Sequence, residues 1–227
     1  MAAPGTAAAR RGSSGLATSS RTDRIASARL YFVTPDREPP AVYDLALAAI
    51  KGGADVVQLR HKTLRRGELL ELARRLRDLA AKNDRLFIVN DHVDIALLAG
   101  ADGVHLGPDD LSVTSARRVA GERLLIGASA SSVEAARQAV DDGAAYLGSG
   151  PAFATPIKTQ KKVVGPAGVA AIAQAVQIPV FAIGGISASN IDELIAAGVR
   201  RACVIRAIGD AGDPEEAART LRAMLDA

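Results

Sequence analysis

Two acidic clusters lie at the two ends of residues 90–110, which read NDHVDIALLAGADGVHLGPDD. Asn90 and Asp91 open this segment, Asp109 and Asp110 close it, and its middle is apolar. Carboxylates in such places can simply cap the helices that follow them. If the fold instead returns the chain to the point that it left, Asp91 and Asp110 together offer hard oxygen ligands for one Mg²⁺ ion.

Basic residues with the chemistry to bind phosphate occur in two other segments. Arg60 and Lys62 belong to the sequence QLRHK, and Lys158 belongs to GPAFATPIKTQKK. Such cations could form ordinary salt bridges with the acids. They could also hold phosphate oxygens, arginine through two parallel hydrogen bonds and lysine as a point charge. Together with the two acidic clusters, they favour a polyphosphate that is bridged by Mg²⁺.

The elements that would position these residues alternate along the chain. Short apolar runs separate segments of helical periodicity, and several helices end in a glycine directly before the next run. Eight such runs favour a single-domain α/β fold, the (β/α)8 TIM barrel, whose active site lies at the carboxyl ends of the strands. A doubly wound open sheet is the alternative. The runs cover residues 29–34, 55–60, 85–90, 102–106, 124–129, 145–150, 179–185 and 201–206.

The same rim holds a second candidate anion site. The sequence IGGIS at residues 183–187 leads from the seventh predicted strand into a helix, so free backbone amides point outward there. Barrels of this type often bind a phosphate with the loops after the seventh and eighth strands. Gly185 lets a ligand approach the backbone closely, although glycine at this point also serves packing.

Composition limits the remaining possibilities. Of the 227 residues, 48% are hydrophobic and 3% aromatic, and the single cysteine, Cys203, excludes an internal disulfide. The net charge of +3 is concentrated in residues 1–29, which hold five arginines and one aspartate. We therefore expect no nucleic-acid partner for the folded part.

We divide the chain into a flexible tail at residues 1–28 and a barrel catalytic domain at residues 29–227. The tail has neither the apolar core of a secretory signal nor the length of a membrane span, which predicts a cytoplasmic protein. An organelle-targeting peptide is the alternative for the tail. The sequence leaves open whether the protein forms a homo-oligomer.

Taken together, five motifs resemble those of the thiamine-phosphate synthase family. They are QLRHK at 58–62, the segment 90–110, IGASA at 126–130, YLGSGPAFATPIK at 146–158 and FAIGGIS at 181–187. The resemblance implies a TIM-barrel transferase that condenses a hydroxymethylpyrimidine diphosphate with a thiazole phosphate. Diphosphate would depart with help from Mg²⁺, and the thiazole nitrogen would capture the resulting carbocation.

The resemblance also assigns individual roles. The diphosphate and its pyrimidine would be bound by two groups of residues, and the thiazole phosphate by a third. Asp91 and Asp110 would bind Mg²⁺. The first group is Gln58, Arg60, Lys62 and Asn90; the second is Ser129 and Lys158; the third is Phe153, Ala154, Thr155, Gly185, Ile205 and Arg206. Of these, Arg60, Lys62, Ser129 and Lys158 would be catalytic.

The chain departs from the family pattern at two positions. His61 replaces a common acid and is interpreted as peripheral, and Arg206 replaces a common serine, so that it could either grip the thiazole phosphate or point outward. Two other functions compete: a thiazole tautomerase of the same fold, which needs no diphosphate site, and a non-catalytic sensor of a phosphate ligand. His105 is expected to be a hydrogen-bonded residue of the barrel interior.

Overall fold

A computed structural model describes residues 20–154 and 163–227, and every structural statement below concerns these residues. Eight parallel strands form a closed barrel in which each strand pairs with its neighbours in the sequence and β8 pairs with β1. The barrel prediction is confirmed, and the open sheet is excluded. The strands are β1 Leu30–Val33, β2 Val56–Leu59, β3 Leu86–Asn90, β4 Gly103–Leu106, β5 Leu125–Ala130, β6 Tyr146–Ser149, β7 Val180–Ile183 and β8 Ala202–Val204.

Helices connect the strands. Several begin at a side chain that accepts a hydrogen bond from the amide three residues further on, as Ser112, Ser132 and Asp213 do. Within the described part of the chain, no helix is both long and apolar enough to cross a membrane. The helices are α1 Arg21–Ser27, α2 Pro39–Lys51, α3 Arg66–Lys82, α4 Val93–Ala99, α5 Val113–Ala120, α6 Val133–Asp141, α7 Gly165–Ala175, α8 Ile191–Ala196, α9 Arg206–Gly209 and α10 Pro214–Asp226.

Two apolar layers result from the alternation of side chains along the strands. On β1, Leu30 and Phe32 face outward and pack against the helices, whereas Tyr31 and Val33 belong to the cluster that fills the barrel. The outer layer is the larger of the two. The inner layer is closed off by aromatic rings, because Tyr31 packs edge-on against Phe181 with their centroids 5.3 Å apart.

The joints between helices and strands follow the predicted pattern. Gly53, Gly100, Gly143 and Gly198 all adopt positive φ angles, of 97°, 67°, 95° and 86°. Only glycine takes up this conformation without a steric penalty, so the chain can reverse directly from a helix into the next strand. These short joints lie at the amino ends of the strands, whereas the longer loops, such as those after β2, β4 and β7, lie at the carboxyl ends.

The last part of the predicted tail, which spans residues 1–28, contains an ordered helix. Residues 21–27 form α1, which begins with a capping box: the Ser20 hydroxyl accepts from the Asp23 amide, and the Asp23 carboxylate accepts from the Ser20 amide. Ile25 is buried in the same cluster as the residues inside the barrel. The remainder of the predicted tail, residues 1–19, lies outside the described residues.

An ion pair fastens the barrel at its amino end. The Asp55 carboxylate, just before β2, lies 2.6 Å from the guanidinium of Arg222 on α10. It also accepts hydrogen bonds from the amides of Arg29 and Leu30, at 2.7 and 3.0 Å. One side chain therefore joins the start of β1, the start of β2 and the C-terminal helix. The interactions at this end of the barrel stabilise the fold, whereas the opposite rim is the end at which barrels of this type bind their ligands.

Candidate active site

The loop after β2 presents its two cations to the rim at the carboxyl end. Arg60 is 28% exposed, and its guanidinium lies 3.3 Å from the Asp36 carboxylate. The Lys62 ammonium reaches across to the next strand and lies 2.6 Å from the Asp91 carboxylate. Both cations therefore stand beside carboxylates while keeping donors that face solvent. Such a pair can bind a dianionic ligand without a large rearrangement.

Asp91 adopts a left-handed backbone conformation, with φ of 63°. Its amide donates to the carbonyl of His105 at 2.9 Å, which extends the ladder between β3 and β4 by one bond. A left-handed conformation costs a residue other than glycine about 1–2 kcal/mol, and aspartate tolerates it better than most. It turns the carboxylate out of the strand direction and toward Lys62.

The carboxyl groups of Asp91 and Asp110 lie close enough for each to shift the pKa of the other. Burial raises the pKa of Asp110, and the neighbouring Asp91 raises it further. Burial also raises the pKa of Asp91, but the hydrogen bond from Lys62 and the neighbouring Asp110 outweigh this effect, so that the net pKa is lowered. Two neighbouring carboxylates repel each other unless a proton or a cation neutralises part of their charge.

This pair fits the requirements of a Mg²⁺ site. Asp110 is held by the Gly107 amide, which donates to its Oδ2 at 2.7 Å. Among the described residues, no group of three or more His, Cys, Asp or Glu side chains is arranged to hold a metal. Mg²⁺ is usually held by one or two carboxylates and completed by substrate phosphates and water. Two carboxylates beside two cations therefore suit this ion together with a phosphate ligand.

Below the rim, a chain of hydrogen bonds crosses the barrel interior. The amide of Gln58, which is only 4% exposed, donates to the Tyr31 hydroxyl at 2.7 Å. The hydroxyls of Tyr31 and Tyr146 lie 3.0 Å apart. Burial raises the pKa of both tyrosines, so these hydroxyls stay protonated and neutral at physiological pH. The two tyrosines form a neutral polar floor beneath the charged rim.

The sequence analysis identified Gln58 but missed both tyrosines. The available signal was strand parity, because residues two apart on a strand face the same side. Tyr146 stands at the start of β6, opposite Gly127 of β5 in the sheet register. A β-carbon on Gly127 would lie 2.1 Å from the Tyr146 ring, so the glycine makes room for the ring inside the barrel.

A second interior contact positions Ser129. His105 lies at the inner face of β4, and its Nε2 is 3.0 Å from the Ser129 hydroxyl. The expected interior location of His105 is confirmed. Gly148 on β6 lies against the ring, where a β-carbon would stand 3.2 Å from the His105 ring. Ser129 is thereby fixed at the end of β5, on the same rim as the cations.

The glycine pair after β7 forms a second loop at the carboxyl end of the barrel. Gly184 and Gly185 have positive φ angles of 102° and 68°. The Phe153 amide donates to the Gly184 carbonyl at 2.9 Å, and a β-carbon on Gly185 would lie 2.6 Å from the Ala154 carbonyl oxygen. In the described part of the chain, the amides of both glycines form no hydrogen bond to another backbone group.

Asn190 fixes this glycine loop from the side of α8. Its side chain accepts from the Ser187 amide at 2.9 Å and donates to the Gly185 carbonyl at 2.8 Å. On the other side of the loop, Ile205 follows β8 and packs with the barrel interior, and Arg206 begins α9 with an exposed side chain. The geometry is that of a backbone-amide cradle beside an exposed cation.

The family model described as thiamine monophosphate synthase matches residues 30–208. The chain belongs to this family. A thiamine-phosphate synthase from Gloeobacter violaceus is 48% identical over 191 residues, which are 84% of this chain and 55% of that protein. This chain thus spans about half the length of the Gloeobacter relative. Thiamine-phosphate synthases from Methanoculleus marisnigri and Pyrococcus abyssi are 48% and 40% identical; the matches cover 79% and 87% of this chain and 85% and 95% of those proteins.

Solved structures agree with this thiamine monophosphate synthase assignment. Thiamine phosphate pyrophosphorylase from Pyrococcus furiosus superposes with a TM-score of 0.82 at 36% identity, covering 91% of this chain and 98% of that one. A 3-hexulose-6-phosphate synthase superposes with a TM-score of 0.68 at 22% identity, which shows the shared barrel fold alone.

Not every residue that the family resemblance singles out can be placed. The barrel brings the ends of β2, β3, β4 and β5 to one rim. There, Lys62 donates a hydrogen bond to Asp91, and Asp110 lies next to Asp91. Asn90 ends β3 directly before them. Thr155 and Lys158 lie outside the described residues. Membership in the thiamine monophosphate synthase family therefore rests on the fold and the sequence match, and the ligand assignments remain predictions.

Proposed function

We propose that this protein is a thiamine-phosphate synthase. It takes 4-amino-2-methyl-5-hydroxymethylpyrimidine diphosphate and a thiazole phosphate as substrates. The bond between the pyrimidine methylene carbon and the diphosphate oxygen breaks, and the electron pair leaves with diphosphate. The methylene carbon then forms a bond to the thiazole nitrogen, which gives thiamine phosphate. The protein is accordingly an enzyme that transfers an alkyl group other than methyl.

One observation supports the proposal most directly: the neighbouring carboxylates Asp91 and Asp110 lie beside Lys62 and on the same rim as Arg60. Two cations next to two carboxylates suit a diphosphate that arrives with Mg²⁺. A ligand with a single phosphate would not require this combination. The relatives that share the family support the same reading, since those reported above are named as thiamine-phosphate synthases or pyrophosphorylases.

Catalysis in this proposal is electrostatic and positional. Arg60, Lys62, Ser129 and Lys158 donate to the diphosphate oxygens, and Asn90 donates from the end of β3. These donors stabilise the negative charge that builds up on the departing group, which is the largest single contribution in many enzymes. Asp91 and Asp110 would hold Mg²⁺, which supplies further stabilisation of the same charge when bound.

The interior of the barrel would receive the pyrimidine ring. The hydrogen bond to Tyr31 fixes the orientation of the Gln58 amide, and Tyr146 completes the polar floor. The raised pKa values of the tyrosines mean that these hydroxyls act as neutral donors and acceptors rather than as bases. A floor of aromatic rings also keeps water away from the methylene carbon, so that the thiazole nitrogen reaches it first.

The thiazole phosphate would bind at the glycine loop after β7. Backbone amides after β7 and at the start of α9 would donate to its phosphate, with Gly185, Ile205 and Arg206 on one side. Phe153, Ala154 and Thr155 would line the opposite side. Placing both substrates on one rim aligns the nitrogen with the carbon that it attacks, which removes much of the entropic barrier.

The two rival functions make different demands on the site. A thiazole tautomerase handles only the thiazole phosphate and has no use for the carboxylate pair or for Lys62 beside it. A non-catalytic sensor would bind phosphate ligands without turnover. The experiment that separates the three is a product assay of the purified full-length chain with both substrates and Mg²⁺. Formation of thiamine phosphate and diphosphate in equal amounts supports the proposal, whereas folded protein that forms neither product contradicts it.

A further inference from the structure

His61 lies between the two cations of the rim, and its ring bridges two loops. The ring is nearly buried, with 5% of the side chain exposed. Its Nε2 is 2.9 Å from the carbonyl oxygen of Arg37, in the loop after β1. Its Nδ1 is 3.2 Å from the amide nitrogen of Leu64, in the loop after β2. The imidazole therefore connects the loop that carries Arg60 and Lys62 to the neighbouring loop.

The partners of the ring indicate which nitrogen donates and which accepts. A carbonyl oxygen can only accept a hydrogen bond, so Nε2 carries a proton and donates it to Arg37. A backbone amide can only donate, so Nδ1 carries no proton and accepts from Leu64. Both ring nitrogens of His61 thus take part in hydrogen bonds to the backbone. This bridging arrangement requires one donor and one acceptor at fixed positions, which an acidic side chain cannot supply.

Asp36, in the loop after β1, holds the same segment from a second direction. Its Oδ1 accepts from the Lys62 amide at 2.7 Å, and its Oδ2 accepts from the Arg60 guanidinium at 3.3 Å. Next to it, the Thr34 hydroxyl both accepts from the Arg60 amide at 3.0 Å and donates to the Arg60 carbonyl at 3.1 Å. The loop after β1 thus fixes the backbone and the side-chain direction of the segment that binds anions.

We propose that His61 and Asp36 are positioning residues for the diphosphate subsite. They hold Arg60 and Lys62 in the orientation that binds the substrate, and neither touches the substrate itself. This inference rests on the proposed function and deepens it, because it gives the loop after β1 a role in recognising one substrate of the two. The interpretation of His61 as peripheral is replaced by one in which its ring is structural support for both cations.

The physical basis is preorganisation. Arginine and lysine side chains have many rotamers, and each must be restricted before its donors can meet phosphate oxygens. Contacts that restrict them in the free protein lower that cost at the moment of binding. In metalloproteins, losing a partner that orients a metal ligand reduces metal affinity or activity by about 10- to 100-fold, and we expect an effect at the lower end of this range here. The effect belongs to the diphosphate and not to the thiazole phosphate, whose proposed subsite lies after β7 and β8.

The test uses the full-length chain and three substitutions of His61. They remove its two hydrogen bonds separately or together. His61→Asn places an acceptor near the Nδ1 position and loses the donor, and His61→Gln places a donor near the Nε2 position and loses the acceptor. His61→Phe keeps the ring shape and loses both bonds. Asp36→Asn keeps one acceptor for the Lys62 amide and removes the charge beside Arg60. Asp210→Asn is the control, because Asp210 pairs with the Arg37 guanidinium at 2.8 Å and contacts neither rim cation.

We expect His61→Phe and Asp36→Asn to raise KM for the pyrimidine diphosphate about tenfold, with KM for the thiazole phosphate within about twofold of wild type. The affinity for inorganic pyrophosphate with Mg²⁺, measured by calorimetry, should fall in parallel. His61→Asn and His61→Gln, which each keep one bond, should lie between wild type and His61→Phe. If His61→Phe unfolds at the assay temperature, His61→Asn, His61→Gln and Asp36→Asn still test the proposal. The control should match wild type in every measurement.

Two results overturn the inference. One is an unchanged KM for the pyrimidine diphosphate in folded His61→Phe and Asp36→Asn. The other is an equal rise in both KM values, which would show general loosening of the barrel mouth. Failure of the proposed function looks different: the wild-type chain itself would form no thiamine phosphate. If that inactive wild type also failed to bind pyrophosphate, it would refute the inference along with the function.

Discussion

At the scale of single residues, Asp91 has an unfavourable backbone conformation and lies in the candidate active site. Among the described residues, only Asp84 and Asp91 have positive φ angles without being glycine, at 52° and 63°. Asp84 lies at a helix-to-strand joint on the opposite end of the barrel, where a left-handed residue merely ends a helix. Asp91 takes up the same conformation at the carboxyl end of β3, where it aims a carboxylate at Lys62 and Asp110.

Asp84 and Asp91 provide a matched test of the proposal that Asp91 binds Mg²⁺. Asp91→Asn keeps the size and the tolerance of left-handed backbone but removes the negative charge. We expect kcat/KM to fall by about two orders of magnitude or more, because the charge of the leaving group is no longer stabilised. Asp84→Asn should retain wild-type kinetics. Steady-state assays measure kcat/KM for both variants, and thermal unfolding checks that they are folded. A wild-type rate for Asp91→Asn would contradict the proposed metal site and leave Asp91 with only a structural role at the start of a helix.

The sequence supported some site residues better than others. Acids and cations that follow strands could be found from the chain alone, since charged groups at strand ends are unusual and the barrel brings those ends together. The role of His61 could not be found, because it depends on the carbonyl of Arg37 and the amide of Leu64, which the sequence does not place. Tyr31 and Tyr146 were missed for a related reason: aromatic residues in apolar strands are usually core.

At the scale of elements, β5 and β6 pack together because Gly127 on β5 has no side chain and leaves room for the Tyr146 ring on β6. Gly127→Ala would place a methyl group within the Tyr146 ring position, so the ring must move and the polar floor with it. We expect the free energy of unfolding to drop by about 1–3 kcal/mol, together with weaker binding of the pyrimidine diphosphate.

The control for this substitution is Gly67→Ala. Gly67 lies in the first turn of α3, and a β-carbon there would meet no atom within 4 Å. This substitution should leave stability unchanged or raise it by up to about 1 kcal/mol, since alanine favours helix. Urea unfolding of both variants measures the difference. Equal stabilities for the two alanine variants would mean that Tyr146 does not fill the space beside Gly127.

The short helix α1 is an element that the sequence analysis overlooked. It has seven residues, and Ile25 is the only one of them that is buried, so no periodicity marks it. Its signal was the capping box, Ser20 followed by Asp23 three residues later. The eight strands were far easier to predict, because runs buried on both faces and glycine joints repeat along the whole chain.

Removal of α1 tests its contribution to the barrel. A chain shortened to begin after residue 19 should unfold at the same urea concentration as the full chain. A chain that begins after residue 28 loses the buried Ile25, and we expect its free energy of unfolding to fall by about 2–5 kcal/mol. Equal stability of the two shortened chains would show that α1 does not pack on the barrel in solution.

At the scale of the whole molecule, the two ends of the barrel have different tasks. Asp55 and Arg222 join β1, β2 and α10 at the amino end, and the charged groups of the opposite rim surround a candidate ligand site. The sequence predicted eight strands but left open whether the sheet closes. Closure depends on the pairing of β8 with β1, a contact between residues about as far apart as the chain allows, which local patterns do not report.

The central claim is that Asp91 and Asp110 form one metal-dependent diphosphate site, built from the ends of two neighbouring strands. Calorimetric titration of the full-length chain with inorganic pyrophosphate, in Mg²⁺ and again with a chelator in its place, tests this most directly. We predict measurable binding with Mg²⁺, and its loss both with the chelator and in Asp91→Asn. Equal affinity with and without Mg²⁺, or unchanged binding by Asp91→Asn, would contradict the claim.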